Sequence, residues 1–434
     1  MEWWLIGTLM FLAFLVLLLI GIPVAFSLGT VAILSSLFLF DAQGLQIVAS
    51  TAYVVGTSFV MLAVPLFIFM GEIIMESGAS HDAFRAVDAW FGRVRGGTAV
   101  STIVSTTIFG AVTGFSPASC AAIGSISIPA MLQRKYDKGL ALGSVGGGAC
   151  LAILIPPSLL MIIYGHLADV SVASLFYGGI IPGLIGSSLF IAYVIVRSTL
   201  NPSIAPWRTQ ASWGEKVRTS VRLIPLLLLI ILVMGTIWGG IATPTEAAAI
   251  GSFGAILILV GYRKFDGRTW KHILFRTARS TGMLLILLIC ANAFTQVLAY
   301  VGFTANLGKL VLGVEVSPWT ILIITQLTVL ILGCFIDPGS ILFILTPIYA
   351  PIIVRLGFDP LWFGILLMIN CELATITPPV GLNLYVLKSI GGKEVSFTDI
   401  TKGVGPFWAL HLMLMIIVMV FPQLATWLPG LRPR

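Results

Sequence analysis

The chain has 434 residues, of which 58% are hydrophobic and only 9% are charged, and its mean hydropathy is +1.06. Soluble domains carry about 25% charged residues, so this composition excludes a soluble enzyme or binding domain and predicts a polytopic membrane protein. The net charge of +7 does not indicate a nucleic-acid partner, because the basic residues sit in short loops between apolar stretches.

Ten apolar stretches have the length of a membrane-spanning helix, which needs ~20 residues. In chain order they are predicted at 3–20, 22–40, 52–75, 139–165, 174–197, 223–241, 244–262, 281–301, 361–389 and 404–428. Two charged, moderately amphipathic segments, 76–97 and 263–280, are interpreted as helices lying flat on the membrane surface, with solvated loops as the alternative.

Two further apolar stretches, 98–132 and 317–354, are too long for one helix. Ser116-Pro117 splits the first and Asp337-Pro338-Gly339 splits the second, and a proline there removes a backbone donor and clashes with the preceding turn. We predict that each stretch is a re-entrant helical hairpin that enters and leaves the membrane on one side. Two ordinary spans joined by a tight turn are the alternative for each stretch.

The hairpin prediction places the basic loops on one side of the membrane. All but four of the 24 Lys and Arg residues fall in loops 76–97, 132–138, 197–222, 263–280 and 388–403. The positive-inside rule makes this side cytoplasmic and puts both chain ends on the periplasmic side. The four exceptions, all on the periplasmic side, are Lys309, Arg355, Arg432 and Arg434.

Prolines recur at a fixed offset in the two halves of the chain. The pairs that are 221 residues apart are Pro23 and Pro244, Pro117 and Pro338, and Pro157 and Pro378. The pattern predicts repeats at 1–197 and 223–434, joined by a cytoplasmic linker at 198–222. Each repeat has five crossings and one hairpin, and an odd number of crossings inverts the second repeat. The predicted fold class is an all-α polytopic membrane protein of two inverted-topology repeats.

Each repeat also carries a proline-pair break 40 residues after its hairpin proline: Pro157 follows Pro117, and Pro378 follows Pro338. Paired breaks in corresponding positions mark the binding sites of secondary transporters. We therefore predict that the two hairpin tips meet near the bilayer midplane, with Pro156-Pro157 and Pro378-Pro379 beside them, so that four half-helices close one site.

Unwound carbonyls together with Ser, Thr or Asn side chains can hold Na⁺, and helix N-termini suit an anionic substrate. The sodium ligands predicted on this basis are Ser116, Ser119, Asp337, Ser340, Thr375 and Thr377. The wider set of predicted sodium- and substrate-binding residues adds Gly114, Pro117, Pro156, Pro157, Ser158, Gly339, Glu372, Pro378, Gly381 and Asn383.

Three carboxylates within apolar segments have alternative interpretations. Asp337 either coordinates a cation or caps the helix that follows it. Glu372 either takes part in transport or fills a hydrogen-bonded packing role. Glu246, three residues after Thr243, fits a capping box better than a binding site.

Enzyme chemistry is not indicated by the sequence. There is no HExxH motif, Walker A loop or phosphate-binding glycine pattern, so no ATP-driven step is expected in this chain. The five cysteines lie in apolar segments without metal-ligand spacing, and they are interpreted as buried small hydrophobic residues with no disulfide framework. They are Cys120, Cys150, Cys290, Cys334 and Cys371. No cofactor is expected apart from Na⁺ as a coupling ion.

Four stretches, covering nearly the whole chain in their order and spacing, resemble the large membrane (M, or DctM-like) subunit of tripartite ATP-independent periplasmic (TRAP) transporters. They are Phe109-Gly110-Ala111-Val112-Thr113-Gly114 through Ile128-Pro129-Ala130-Met131, Ile155-Pro156-Pro157-Ser158 to Tyr164-Gly165, Ala242-Thr243-Pro244-Thr245-Glu246-Ala247-Ala248, and Asp359-Pro360-Leu361-Trp362-Phe363-Gly364 through Thr377-Pro378-Pro379-Val380-Gly381-Leu382-Asn383-Leu384.

This resemblance implies sodium-coupled uptake of an organic acid, such as a C4-dicarboxylate or sialic acid, across the bacterial inner membrane by an elevator motion. It implies two protein partners: a small four-helix membrane subunit, expected here as a separate chain, and a soluble periplasmic substrate-binding protein. A stand-alone ion-coupled carboxylate carrier of the same superfamily, without a binding protein, is the alternative. A channel is disfavoured because the spans show no continuous polar stripe.

Overall fold

The computed structural model describes residues 2–206, 211–313 and 316–431, and these residues form helices and short 3-10 turns. Eight of the described helices are long and apolar enough to cross a membrane, judged by length and composition. The predicted all-α, polytopic class is confirmed.

The helices of the first half are α1 (Trp3–Leu19), α2 (Val24–Thr57), α3 (Ala63–Ser77), α4 (Ala79–Trp90), α5 (Gly97–Thr113), α6 (Ser116–Gln133), α7 (Lys138–Ala149), α8 (Leu159–Leu167) and α9 (Val172–Leu200). Those of the second half are α10 (Trp213–Trp238), α11 (Pro244–Gly261), α12 (Gly267–Tyr300), α13 (Phe303–Gly313), α14 (Pro318–Gly333), α15 (Pro338–Arg355), α16 (Pro360–Thr375), α17 (Leu382–Gly391), α18 (Phe397–Val420) and α19 (Gln423–Gly430).

Side-chain caps explain where several helices begin. Thr243 and Glu246 form a capping box at the start of α11, so the capping interpretation of Glu246 is confirmed. We call α7 with α8 the first broken helix and α16 with α17 the second, because a proline pair lies between the two helices of each. Asp137 and Asp359 cap α7 and α16 by accepting backbone hydrogen bonds at 2.9 and 2.7 Å. These carboxylates satisfy amide donors that a helix start leaves without partners.

Both long apolar stretches fold as two helices joined at the predicted proline. In the first, α5 ends at Thr113, Gly114 takes a left-handed conformation (φ 62°), and α6 begins at Ser116. In the second, α14 ends at Gly333 and α15 begins at Pro338. The two helices of each stretch pack against one another, so each forms a helical hairpin. We call α5–α6 the first hairpin and α14–α15 the second hairpin.

The two proline-pair segments are interrupted as predicted, but over different lengths. The first break runs from Cys150 to Ser158, because the glycine-rich end of α7 stops the helix before the prolines are reached. The second break is shorter and lies between Thr375 and Leu382. Both proline pairs are joined by cis peptide bonds.

The predicted span at 52–75 is wrong at its start. Residues up to Thr57 belong to α2, which kinks at Asp41 (φ 54°) and then continues. The chain turns at Ser58 and re-enters helix α3 only at Ala63, after a 3-10 turn. The apolar sequence runs through this turn without a break, so hydropathy alone merges the two elements.

Of the two predicted surface helices, 76–97 contains a separate helix, α4, whose apolar face is buried. The segment 263–280 does not form one, because α12 runs unbroken through 34 residues from Gly267 to Tyr300. The Asp266 carboxylate caps the start of α12 by accepting from the Arg268 amide at 2.9 Å. The change from polar to apolar residues within α12 suggested two elements, but no proline lies there to end the helix.

Two further boundaries differ from the sequence prediction. The last span, predicted at 404–428, is α18 from Phe397 to Val420, and Pro422 separates it from the short helix α19. Within the predicted linker 198–222, α10 already begins at Trp213, capped by Ser212. Arg208, Arg432 and Arg434, which entered the charge count, lie outside the described residues.

The two halves interlock around the hairpins. The second arm of each hairpin packs on the broken helix of the other half, α6 on α17 and α15 on α8, while the first arms pack on the broken helix of their own half. The first arm of each hairpin lies very close to the chain of the broken helix in its own half. A Cβ added at Gly110 would lie 2.4 Å from the Ala152 Cβ, and one at Gly333 would lie 2.2 Å from the Ala374 Cβ. Only glycine allows this packing.

Candidate functional site

Three of the four chain breaks, and the helix that follows the fourth, border one cavity of about 600 Å³. Its walls include the first residues of the four helices that begin at the breaks: Pro117 and Ala118 of α6, Leu159 and Leu160 of α8, Pro338 and Gly339 of α15, and Leu382 of α17. Further wall residues come from α3 and α12, including Glu72 and Ser280, with single residues from α2, α5, α14 and α16. The two hairpin tips and the two broken helices therefore gather at one cavity, while their meeting near the bilayer midplane stays a prediction.

Backbone contacts hold each hairpin tip against the break of its own half. A Cβ at Gly114 would meet the Leu159 nitrogen at 3.2 Å and the Pro157 oxygen at 3.4 Å, so the first tip needs a residue without a side chain. In the second half, the Val380 amide donates to the Cys334 carbonyl at 3.2 Å. These contacts place the four breaks side by side.

A buried polar cluster links the first hairpin tip to the second broken helix. The Asn383 side-chain amide donates to the Ser116 hydroxyl at 2.7 Å and to the Thr375 hydroxyl at 2.9 Å. Thr375 donates in turn to the Glu372 carbonyl at 2.7 Å, and its hydroxyl lies 3.5 Å from the Glu372 carboxylate. The Cys150 sulfur completes the cluster, 3.6 Å from the Thr375 hydroxyl. We call these five residues the buried cluster.

The buried cluster has more oxygen acceptors than donors. The side chains of Ser116, Glu372 and Asn383 are fully buried, and Glu372 forms no ion pair with any described residue. Glu372 Oε1 and Asn383 Oδ1 have no hydrogen-bond partner among the described residues. Leaving buried acceptors without partners is costly. The donor set therefore fits a small hard cation, which takes carboxylate, amide and hydroxyl oxygens.

Asp337 acts as the cap of α15. Its carboxylate accepts from the Ser340 amide at 3.0 Å and from the Ser340 hydroxyl, which confirms the capping interpretation. The same residue borders the cavity beside Gly339. Its carboxylate therefore fixes the second tip at the cavity wall.

Four predicted hydroxyl residues lie outside the buried cluster, namely Thr377, Ser119, Ser158 and Ser340, whose hydroxyl donates to Asp337. Thr377 donates to the Leu373 carbonyl at 2.7 Å and accepts from the Trp408 indole at 2.9 Å. Ser119 donates to the backbone of its own helix at 3.0 Å. Ser158 caps α8.

The predicted backbone positions fall into two groups. Pro117, Gly339 and Gly381 border the cavity, while Gly114 closes the first tip against the first break. Pro156, Pro157 and Pro378 lie within the two breaks themselves.

Sequence reasoning missed two residues of this region. Cys150 was interpreted as a packing residue, yet it belongs to the buried cluster and contacts Glu372. The two residues are 222 positions apart, close to the 221-residue offset of the prolines, and this spacing was the available signal. Glu72 was overlooked inside a predicted span, although a carboxylate there is a functional candidate by default. It borders the cavity and pairs with Arg276 at 3.1 Å.

Two solved structures share this fold. The YdaH transporter of Alcanivorax borkumensis matches 91% of both chains with a TM-score of 0.59 at 16% identity. The Neisseria gonorrhoeae efflux pump MtrF matches 90% of this chain and 85% of its own, also with a TM-score of 0.59, at 15% identity. The chain thus shares its multi-helix fold with these two proteins.

The family is given by the sequence comparison. Residues 11–424 match the family described as the tripartite ATP-independent periplasmic transporter, DctM component, and the chain belongs to this family. The C4-dicarboxylate TRAP transporter large permease protein DctM of Vibrio cholerae is 32% identical, covering 98% of this chain and 97% of its own. The ectoine large permease TeaC of Halomonas elongata is also 32% identical, covering 98% and 100%.

A third relative differs in length. The isethionate permease DctMQ of Oleidesulfovibrio alaskensis is 31% identical over 96% of this chain, which spans 65% of that relative. These three relatives are all named as permease proteins.

Proposed function

We propose that this large permease subunit couples inward sodium flow to the uptake of an organic acid across the bacterial inner membrane. The observation that carries the proposal is the buried cluster, where two partnerless oxygens and two hydroxyls converge at the junction of a hairpin tip and a broken helix. A sodium ion there would neutralise Glu372 and join the two halves, so ion occupancy and the geometry of the cavity would be linked.

The cavity supports an anionic substrate. Four helices begin at its wall, and two of them, α6 and α17, have no side-chain cap. The first amides of these two helices and their partial positive charge favour carboxylates. Most of the remaining wall is apolar, which suits the carbon skeleton of a small organic acid. Relatives named for C4-dicarboxylate and 2,3-diketo-L-gulonate agree with this substrate class.

An inverted repeat with an elevator motion is supported by paired contacts. Gly110 and Gly333 are 223 residues apart, and the alanines that they pack against, Ala152 and Ala374, are 222 apart. The hairpins and broken helices would then move together, because each hairpin is packed on the broken helices of both halves. Helices α2, α3, α11 and α12, which pack on one another, would belong to the stationary frame.

The proposed topology predicts opposite accessibility of the two hairpins. A cysteine replacing exposed Lys135, after α6, should react with an impermeant maleimide only from the cytoplasm, while one replacing Arg355, at the end of α15, should react only from the periplasm. Right-side-out and inverted vesicles give the two measurements. The unsubstituted chain is the control, since Cys290 and Cys334 are partly exposed. Labelling of both positions from one side would contradict the inverted repeat.

We also propose that two partners complete the transporter: a small four-helix membrane subunit and a periplasmic substrate-binding protein. The word tripartite in the family description and the longer DctMQ relative support this assembly. Reconstituted membrane subunits should take up little organic acid until the cognate binding protein is added, with a rise of at least about tenfold, because delivery removes the cost of capturing a dilute substrate. A binding protein from an unrelated system is the control. Full-rate uptake of free substrate would favour the stand-alone carrier.

A further inference from the structure

Two cavities outside the transport site meet at one junction. The first, which we call the apolar groove, is a slot of about 450 Å³ between α10 and α11. The second, which we call the basic pocket, has about 650 Å³ and lies between α4, α6 and the start of α10. They meet where Tyr262, at the end of the groove, donates to Asp82 of the pocket at 2.9 Å.

The apolar groove is shaped by two glycines. A Cβ at Gly254 would lie 2.9 Å from Leu229 Cδ1, so α10 and α11 are in close contact there. A Cβ at Gly261, two turns further along, would meet nothing within 4 Å. The slot is therefore open near its Tyr262 end and closed deeper down. A helix about 10 Å wide does not fit such a tapered slot, whereas an acyl chain does.

The basic pocket has a positive balance. Four arginines, Arg85, Arg134, Arg218 and Arg222, face three carboxylates, Asp82, Asp88 and Glu215, which leaves a net charge of +1 with His81 neutral. Arg222 pairs with Asp82 at 3.4 Å and Arg134 with Asp88 at 3.1 Å. Arg85 and Arg218 are exposed and form no ion pair with any described residue, so two cationic groups are available to an anion.

One face of α10 joins the two cavities. Arg218 and Arg222 border the basic pocket, and Pro225, Leu229 and Leu232 border the apolar groove. Their spacing of three or four residues puts all five on the same side of the helix. A ligand lying along this face would meet two arginines at one end and a continuous apolar surface at the other.

We propose that the basic pocket and the apolar groove together bind one anionic phospholipid, with its phosphate at Arg85 and Arg218 and an acyl chain in the groove. A phospholipid fits because its phosphate is complementary to the two arginines and because the basic pocket meets the apolar groove at Tyr262. Basic pockets at the cytoplasmic ends of spanning helices bind anionic headgroups, and the proposed topology places Arg218 at that end. Because α6 also borders the pocket, the bound headgroup would connect the first hairpin to α10.

Native mass spectrometry of the full chain tests this proposal. After incubation with equal dioleoyl phosphatidylglycerol and dioleoyl phosphatidylcholine, one phosphatidylglycerol should be retained. The double variant Arg85→Gln/Arg218→Gln should weaken the retention of phosphatidylglycerol about tenfold, because each basic group near an anionic lipid adds to the binding affinity. The double variant Lys271→Gln/Arg279→Gln, which removes the same charge from exposed positions of α12, should retain the lipid within about twofold of the parent.

The proposed binding of an acyl chain in the apolar groove has a separate test. Gly261→Leu fills the open end of the groove and should displace phosphatidylglycerol, while Gly282→Leu, at another helical glycine with open space around it, should not. Equal retention of both lipids, or an unchanged Gly261→Leu variant, would overturn the proposal. Competition by inorganic phosphate without lipid retention would identify a free-anion site instead. Loss of the lipid when the small membrane subunit is co-purified would assign the groove to that subunit. None of these readouts depends on sodium coupling or on the transported substrate.

Discussion

Sodium should stabilise this protein, and Ser116→Ala should remove about half of that stabilisation or more. In detergent, replacing choline chloride by sodium chloride at constant ionic strength should raise the Tm by roughly 5 °C, the shift expected when an ion at about 100 times its Kd binds only the folded state. Removing the Ser116 hydroxyl, which accepts from Asn383 at 2.7 Å, should weaken sodium binding at least about tenfold, because one ligand of a small cation is lost.

Ser125→Ala is the matched control for this experiment. Ser125 lies on the same helix, α6, is exposed, and donates only to the Ala122 carbonyl at 3.0 Å. Asn383→Ala should behave like Ser116→Ala, whereas Thr377→Ala should have a much smaller effect on sodium binding because its hydroxyl is engaged by Leu373 and Trp408. Equal Tm values in sodium and choline for the parent chain would rule out the buried cluster as a sodium site.

The second large effect, on stability, is expected when the close-packed glycine in the first arm of either hairpin is replaced by alanine. Gly110→Ala and Gly333→Ala should each lower the free energy of unfolding by about 1–3 kcal/mol, the range for overpacked cores. The added methyl group would lie 2.7 Å from the Ala152 Cα in the first case and 2.2 Å from the Ala374 Cβ in the second. Thermal unfolding of the purified chain, followed by light scattering or intrinsic tryptophan fluorescence, measures the change.

Gly235→Ala and Gly405→Ala are the controls, because a Cβ at either position meets nothing within 4 Å. Both should be neutral or slightly stabilising, since alanine is the better helix former by about 0.8–1.0 kcal/mol. A destabilisation at Gly110 without one at Gly333, or the reverse, would show that the two first arms do not pack equivalently. No effect at either position would mean that the hairpins are not held as closely as the structure indicates.

The structure changes which residues are expected to matter for coupling. Of the hydroxyl residues at the breaks, only Ser116 and Thr375 lie in the buried cluster, and both contact Asn383. Glu372 is the only carboxylate of that cluster. Coupling through this site would therefore join the first tip to the second broken helix, rather than depend on each break separately.

The membrane class, the helix pair at each hairpin and the approximate positions of the four breaks were predictable from the sequence. Composition and apolar length set the class, and prolines at equal offsets marked the breaks, because a proline acts on the backbone of its own segment whatever surrounds it. The family resemblance, carried by the same segments, was confirmed over residues 11–424. Boundaries such as the turn at Ser58 were not predictable, since the apolar sequence there is continuous.

The tertiary structure alone decided which polar groups share a site. Ser116 and Asn383 are 267 residues apart and meet only because α6 packs on α17, whereas Thr377, two residues from Thr375, points its hydroxyl to a different partner. The sequence also gave no reason to connect Arg218 with Tyr262. Local signals fix where a helix begins, ends or breaks, but contacts between distant segments depend on how close-packed faces fit together, and a single sequence does not encode that fit as a readable pattern.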